Sequence, residues 1–196
     1  MGEVFIVEVD LKKYVRDYAF LLGLAGLIVI IDQLTKELVR THLALTAEWA
    51  PWPWMLPYFR IVHWSNTGAA FGMFQGFGLV FTILAIAVVI AILYYFPRVS
   101  RQDWPVRIAM CLMLAGASGN LIDRLTQNGQ VTDFISVGSF AVFNIADSSI
   151  TLGVAILVLG VWTIERREKK QDASTFSDHR PAENPAQPRR DGEMGE

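Results

Sequence analysis

The chain has 196 residues, 53% hydrophobic and 18% charged, with a mean hydropathy of +0.35, which is too apolar and too charge-poor for an ordinary soluble domain. The net charge of −2 offers no overall basic field for nucleic acid, so no nucleic-acid partner is expected, and the informative quantity is where the charges sit. The one cysteine, Cys111, excludes an internal disulfide and any Cys-rich metal site, and its apolar surroundings mark it as helix filler.

In chain order, an N-terminal segment, 1–17, brings Lys12, Lys13 and Arg16 ahead of the apolar run Tyr18–Ile31. That imitates a cleavable signal peptide, but the run ends in Asp-Gln-Leu-Thr-Lys and not in a small-residue cleavage site, which predicts a retained anchor. Three more apolar stretches follow, Gly76–Phe96, Val106–Ile122 and Ser148–Ile164, and each reads as a membrane helix. Crossing ~30 Å of hydrocarbon takes roughly 20 helical residues. The first run reaches that length only if Asp32, Gln33 and Thr35 continue the helix, which puts Asp32 at membrane depth. Glycines within the runs (Gly23, Gly26, Gly116, Gly119, Gly153, Gly160) permit close helix packing in lipid. Residues 165–196 lose apolar periodicity and are rich in Pro, Arg, Glu, Asp and Gln, predicting a disordered cytoplasmic tail.

The basic residues set an orientation. Lys12, Lys13 and Arg16, then Arg98, Arg101 and Arg107, then Arg166, Arg167, Lys169 and Lys170 mark three cytoplasmic segments, while Lys36–Gln75 and Asp123–Asp147 are poor in Lys and Arg and face outward. The expected fold is an all-α membrane protein of four transmembrane helices, residues 18–164, with both termini cytoplasmic. Trp49, Trp52, Trp54, Tyr58, Phe59 and Trp64 in the first outer connection suit the headgroup level, and the strand character of Tyr58–Ser65 predicts a small outer-face sheet.

On this topology the polar residues converge. Asp32 and Lys36 close the first span and Asn66 precedes the second; Asn120, Asp123 and Arg124 end the third; Asp133, Asn144 and Asp147 lie before or at the start of the fourth. Ionisable groups at membrane depth are functional candidates by default. Bland roles compete for several of them. Asp123 beside Arg124 could form an interfacial ion pair, Asn144 and Asp147 could each cap a helix, and Asp32 could serve Lys36 one turn later or contact substrate. Asp133 folding back toward Asp147 would instead give two carboxylates in one low-dielectric cleft, which hold a single proton between them. One then activates water as the other protonates a peptide carbonyl, the chemistry of an aspartyl dyad.

The motifs at these places are DQLTK (Asp32–Lys36), NTGAAFG (Asn66–Gly72), GASGNLIDR (Gly116–Arg124), VTDF (Val131–Phe134) and FNIADSSI (Phe143–Ile150). Taken in this order, from about Asp17 to Ile164, they closely resemble bacterial lipoprotein signal peptidases, the type II signal peptidases. The resemblance implies that Asp133 and Asp147 are the catalytic dyad, and that Asp32, Lys36, Asn66, Asn120, Asp123, Arg124 and Asn144 bind substrate or support the site. It further implies a prolipoprotein substrate with diacylglycerol on the cysteine after the scissile bond, lipid held near the dyad, no cofactor or metal, and a place in the bacterial inner membrane with the active site outside. The stretch between the dyad motifs is short for the pattern, and the segment before Lys12 is not part of it.

Two other classes compete. Gly116-Ala117-Ser118-Gly119 fits the nucleophile pattern of a rhomboid-like serine protease, but His42, His63 and His179 all lie outside the spans, so no span offers Ser118 a histidine, and Lys36 as its base leaves the carboxylates unexplained. A small ion-coupled transporter would also use intramembrane Asp and Asn, but with internal symmetry and polar groups near mid-membrane, neither of which is present.

Overall fold

The computed structural model describes residues 11–68 and 77–178, with side chains described as far as Arg166 and at Lys169. The first ten residues, the segment 69–76 with Gly76 and the end of the NTGAAFG motif, and the tail from His179 lie outside the described residues. The order is α1 (Leu11–His42), β1 (Glu48–Trp49), a 3-10 turn (Pro53–Met55), β2 (Phe59–Asn66), α2 (Gly78–Tyr95), a second 3-10 turn (Phe96–Arg98), α3 (Trp104–Thr126), β3 (Val131–Val137) and α4 (Ile145–Asp178). Among the described residues, four helical segments are long and apolar enough to cross a membrane: Leu11–His42, Gly78–Arg98, Trp104–Thr126 and Ile145–Arg166. The protein is therefore mostly helical and multi-pass, with a small antiparallel sheet in the order β1-β2-β3.

Of the element boundaries that differ from the sequence expectation, three have a physical cause in the side chains around them. Helix α1 passes through Asp32–Lys36 to His42, so Lys36 is a helical residue and not the start of a connection. A polar stretch does not stop a helix when its side chains find partners inside the bundle, and Lys36 pairs with Asp32 one turn earlier at 2.9 Å. Helix α4 starts at Ile145, three residues before Ser148, because Asn144 and Asp147 cap it reciprocally. It also runs on to Asp178, through Glu, Arg and Lys residues of high helix propensity, so the first part of the expected tail is helical.

One compact unit extends to Val161, and a second begins at Trp162. Within the second, the Arg166 guanidinium lies 3.6 Å above the Trp162 ring. Within the first, α3 is the central helix, burying Ala109, Cys111, Leu114 and Ala115, whereas Leu27 and Ile30 of α1, Leu79 and Ile83 of α2, and Leu152 and Val158 of α4 stay exposed. Such an exposed apolar periphery suits hydrocarbon and not water. Helices α3 and α4 touch through glycine. A Cβ at Gly116 would overlap the Ala146 carbonyl oxygen and Ile150, and one at Gly153 would stand 2.9 Å from the Ala109 carbonyl oxygen. Small residues thus let the helix backbones meet.

The sheet delivers residues to one end of the bundle. Strand β2 pairs with β3 with a register shift between Ile61 and Trp64, which sets Trp64 opposite Asp133 and Asn66 opposite Val131. After β3 the chain reverses at Gly138, whose φ of +53° is in the left-handed region that a side chain resists. It then returns alongside β3, with Phe143 and Ile135 exchanging backbone hydrogen bonds at 2.7 and 3.0 Å. That return brings Asn144 and the start of α4 beside Asp133.

Candidate active site

Each carboxyl oxygen of Asp133 and Asp147 has a donor. Asp133, on β3 and 1% exposed, accepts from Asn144 Nδ2 at 2.7 Å and from Asn66 Nδ2 at 2.9 Å, one to each oxygen. Asp147, in the first turn of α4, accepts from Asn120 Nδ2 at 2.7 Å and from the Asn144 backbone N–H at 3.2 Å. Asn144 is the joint between them. Its side-chain oxygen accepts the Asp147 N–H at 2.8 Å, closing a capping box, while its amide N–H groups reach Asp133. Asn66 is itself fixed by the Gly68 N–H at 2.9 Å.

Both aspartates line one cavity of about 820 Å³. Its polar end holds Asn66, Asn120, Arg124, Asp133 and Asp147; its walls are Phe81, Leu84 and Val88 of α2, Met113 of α3 and Ile150 of α4. Burial, and then the neighbouring Asp147 charge, push the Asp133 carboxyl up from its ordinary value to about 7, against the hydrogen bonds from Asn66 and Asn144 and the charge of Lys36. Below about 7 the Asp133 carboxyl therefore holds its proton. A carboxyl pair that resists double ionisation and faces one space can supply both the acid and the base of hydrolysis without a covalent intermediate.

Behind the pair lies a buried ionic cluster. Lys36, fully buried, stands 2.9 Å from Asp32 and 3.1 Å from Asp123, and donates to Asn120 Oδ1 at 3.0 Å. The other oxygen of Asp32 accepts the Ala146 backbone N–H at 2.9 Å, and Asp123 Oδ2 accepts the Thr132 N–H at 3.0 Å. Each carboxylate thus grips the backbone of the residue just before one of the two aspartates. Of the roles left open, Asp32 takes up the pairing with Lys36, and Asn144 caps α4 and also touches Asp133.

The Asp123–Arg124 ion pair is corrected. Asp123 faces α1, meeting Lys36 and, at 3.6 Å, Arg40. Arg124, next in the helix and so turned away, lines the cavity with its guanidinium 5.6 Å from the Phe81 ring centroid.

Sequence reasoning missed Gln33 and Arg40. Gln33 donates to Asp32, to Asp123 and to the Gly119 carbonyl, and Arg40 donates to Thr132 Oγ1 at 3.1 Å. The available signal was the i, i+4, i+8 stripe of Asp32, Lys36 and Arg40 along one helix. Ser118 does not line the cavity among the described residues. His42 bonds to Thr41 and Leu38, and His63 to the Leu43 carbonyl, so both described histidines are engaged elsewhere. Among the described residues no group of three or more His, Cys, Asp or Glu is placed to hold a metal.

A carboxyl pair set at one end of four apolar helices is the layout of a membrane-embedded aspartic peptidase. Residues 24–163 match the family model of signal peptidase (SPase) II. The lipoprotein signal peptidases of Staphylococcus aureus strains JH9 and Newman are each 34% identical over 166 residues, covering 81% of this chain and 98% of theirs. Two solved structures described as bacterial membrane enzymes, obtained by the in meso method at 2.3 and 1.9 Å resolution, superpose with TM-scores of 0.68 and 0.64. Each is 33% identical; the matches cover 74% and 73% of this chain and 88% and 92% of those. The chain belongs to the signal peptidase II family of aspartic peptidases.

Proposed function

We propose that the protein removes the signal peptide from prolipoproteins by hydrolysing the bond on the N-terminal side of a diacylglyceryl-modified cysteine, with Asp133 and Asp147 as the dyad. The observation that carries this reading is the shared cavity, polar where the two aspartates meet and apolar along α2, α3 and α4. A peptide bond at the polar end leaves the acyl chains against Phe81, Leu84 and Val88, so lipid aligns the scissile carbonyl with the dyad.

Asp147, ionised, takes a proton from a water that attacks the carbonyl carbon, while Asp133 gives its proton to the carbonyl oxygen. The resulting diol collapses as Asp133 recovers a proton from one hydroxyl and Asp147 passes its own to the departing nitrogen. The C–N bond breaks, one water is consumed and the pair ends with one shared proton, as it began. Asn66, Asn120 and Asn144 hold the carboxylates; Asp32, Lys36 and Asp123 hold the backbones that carry them; Arg124 supplies positive charge beside the reacting oxygens. The proposed cycle uses no cofactor or metal.

The positive-inside pattern supports both termini in the cytoplasm and the dyad on the outer face of the bacterial inner membrane. Trp49, Trp52, Trp54 and Tyr58, each more than half exposed, fit the outer headgroup layer. We assign 1–17 to a cytoplasmic segment, 18–164 to the peptidase domain and 165–196 to a cytoplasmic tail. The test is cleavage of a lipidated precursor by the purified protein with chelator present. Equal turnover of the unlipidated precursor would defeat the substrate assignment.

A further inference from the structure

A second polar cluster lies at the opposite end of the bundle, where the dyad chemistry does not reach. Asp17 precedes Asp32 on α1, and Arg107 precedes Asp123 on α3, by separations of about 23 Å at 1.5 Å per residue. A cavity of about 590 Å³ there is lined by Arg16, Asp17, Phe20, Arg101, Trp104 and Arg107, among others. Asp17 is 2% exposed, and one of its oxygens takes both arginines, Arg107 at 2.8 Å and Arg101 at 3.0 Å. Its other oxygen is buried with no hydrogen-bond partner among the described residues.

Arginine–carboxylate pairs frequently use both carboxylate oxygens. Here one oxygen carries both, and the cavity keeps an excess of positive charge. Arg107 is held over the Phe96 ring, 4.2 Å from its centroid, and donates to the Val99 carbonyl. Arg101 also donates to the Lys13 carbonyl. Arg16 is exposed and forms no ion pair among the described residues. Phe20 and Trp104, 45% and 64% exposed, give the cavity an apolar border of the kind found at a membrane interface.

The geometry points to a binding site for the phosphodiester head group of an anionic glycerophospholipid. Arg16 and Arg101 contact the phosphate oxygens, a head-group hydroxyl supplies the donor that Asp17 lacks, and the acyl chains run beside Phe20 with Trp104 at the headgroup level. Basic pockets between membrane helices serve such ligands elsewhere. Free phosphate shares the head-group chemistry but has no use for the apolar border.

The experiment is thermal unfolding of the purified full-length protein in neutral detergent, titrated separately with phosphatidylglycerol, phosphatidylcholine and inorganic phosphate. Phosphatidylglycerol is expected to raise the unfolding midpoint where the other two do not. Arg16→Gln and Arg101→Gln should each weaken its apparent affinity about fivefold, as the loss of one interfacial cation implies. Precursor cleavage in phosphatidylcholine should stay unchanged in both variants. Arg16→Gln removes an exposed side chain, so it tests the site without endangering the fold, and Arg101→Gln leaves Arg107 to hold Asp17. Equal stabilisation by phosphatidylcholine, or undiminished phosphatidylglycerol affinity in both variants, overturns the site. Inorganic phosphate matching phosphatidylglycerol overturns its assignment to lipid.

Discussion

Asp32 accepts the backbone N–H of Ala146 at 2.9 Å, across 114 residues of sequence, and so ties the middle of α1 to the first turn of α4. Through Lys36 the same carboxylate is coupled to Asp123, which holds the Thr132 N–H. The two aspartates of the proposed dyad come from different elements, and this cluster fixes the backbones that present them.

Asp133→Asn and Asp147→Asn are each expected to abolish turnover with insertion intact, because an amide cannot exchange the protons of the cycle. Ser118→Ala and Cys111→Ala should retain activity. Cleavage assays normalised to folded protein, with chelator present, decide this. Substantial turnover by either asparagine variant would remove the dyad.

The rate should fall as pH rises through about 7, where Asp133 loses its proton and the pair becomes a dianion. Stability follows the same sign. A carboxyl whose folded pKa is raised from its unfolded value near 4 contributes stability that is full below that value and is lost as pH rises through about 7. Unfolding midpoints of the wild type should decline over that window, and those of Asp133→Asn should decline less. A pH-independent difference between the two proteins would refute the shift.

Gly116→Ala should weaken the α3–α4 contact and cost about 1–3 kcal/mol, with a larger loss of turnover, since the added methyl meets the Ala146 carbonyl next to Asp147. Gly23→Ala and Gly26→Ala serve as controls, because nothing lies within 4 Å of either added Cβ. Paired unfolding and cleavage measurements on the three variants check the contrast.

Lys36→Met should destabilise the protein by about 3–5 kcal/mol, because it leaves Asp32 and Asp123 buried without their cation. Thermal unfolding in detergent measures this. A variant as stable as the wild type would mean that the cluster is not held by its charge.

Cysteines placed singly at the exposed positions Trp52 and Tyr58 should be labelled from outside intact cells, and one at Arg101 should not, if the Lys/Arg asymmetry sets the topology. Outside labelling at Arg101 would reverse the proposed orientation.

Much of the fold was legible because each membrane span advertises itself through apolar length. What was not legible depends on direction in space. Asp123 and Arg124 look like a pair in the sequence, yet neighbours on a helix diverge by about 100°, and the structure sends one to α1 and the other to the cavity. Lys36 looked interfacial because the apolar run stops at Ile31, whereas its partners on α1 and α3 bury it completely. The approach of Asp133 to the start of α4 could be supposed, but the reversal at Gly138 and the return of Phe143 along Ile135 are tertiary facts.

The capping box at Asn144 has a consequence for mutational tolerance. Helix N-caps ordinarily accept Asn, Asp, Ser or Thr with little preference. At this position the same side chain must accept one N–H from Asp147 and donate another to Asp133. Aspartate has no donor when ionised and would bring a third carboxyl group to the pair, and a serine or threonine hydroxyl is too short to bridge both. A site that a helix start alone would leave permissive thus asks for a side chain that both accepts and donates, so replacing its capping role alone does not replace its hold on Asp133.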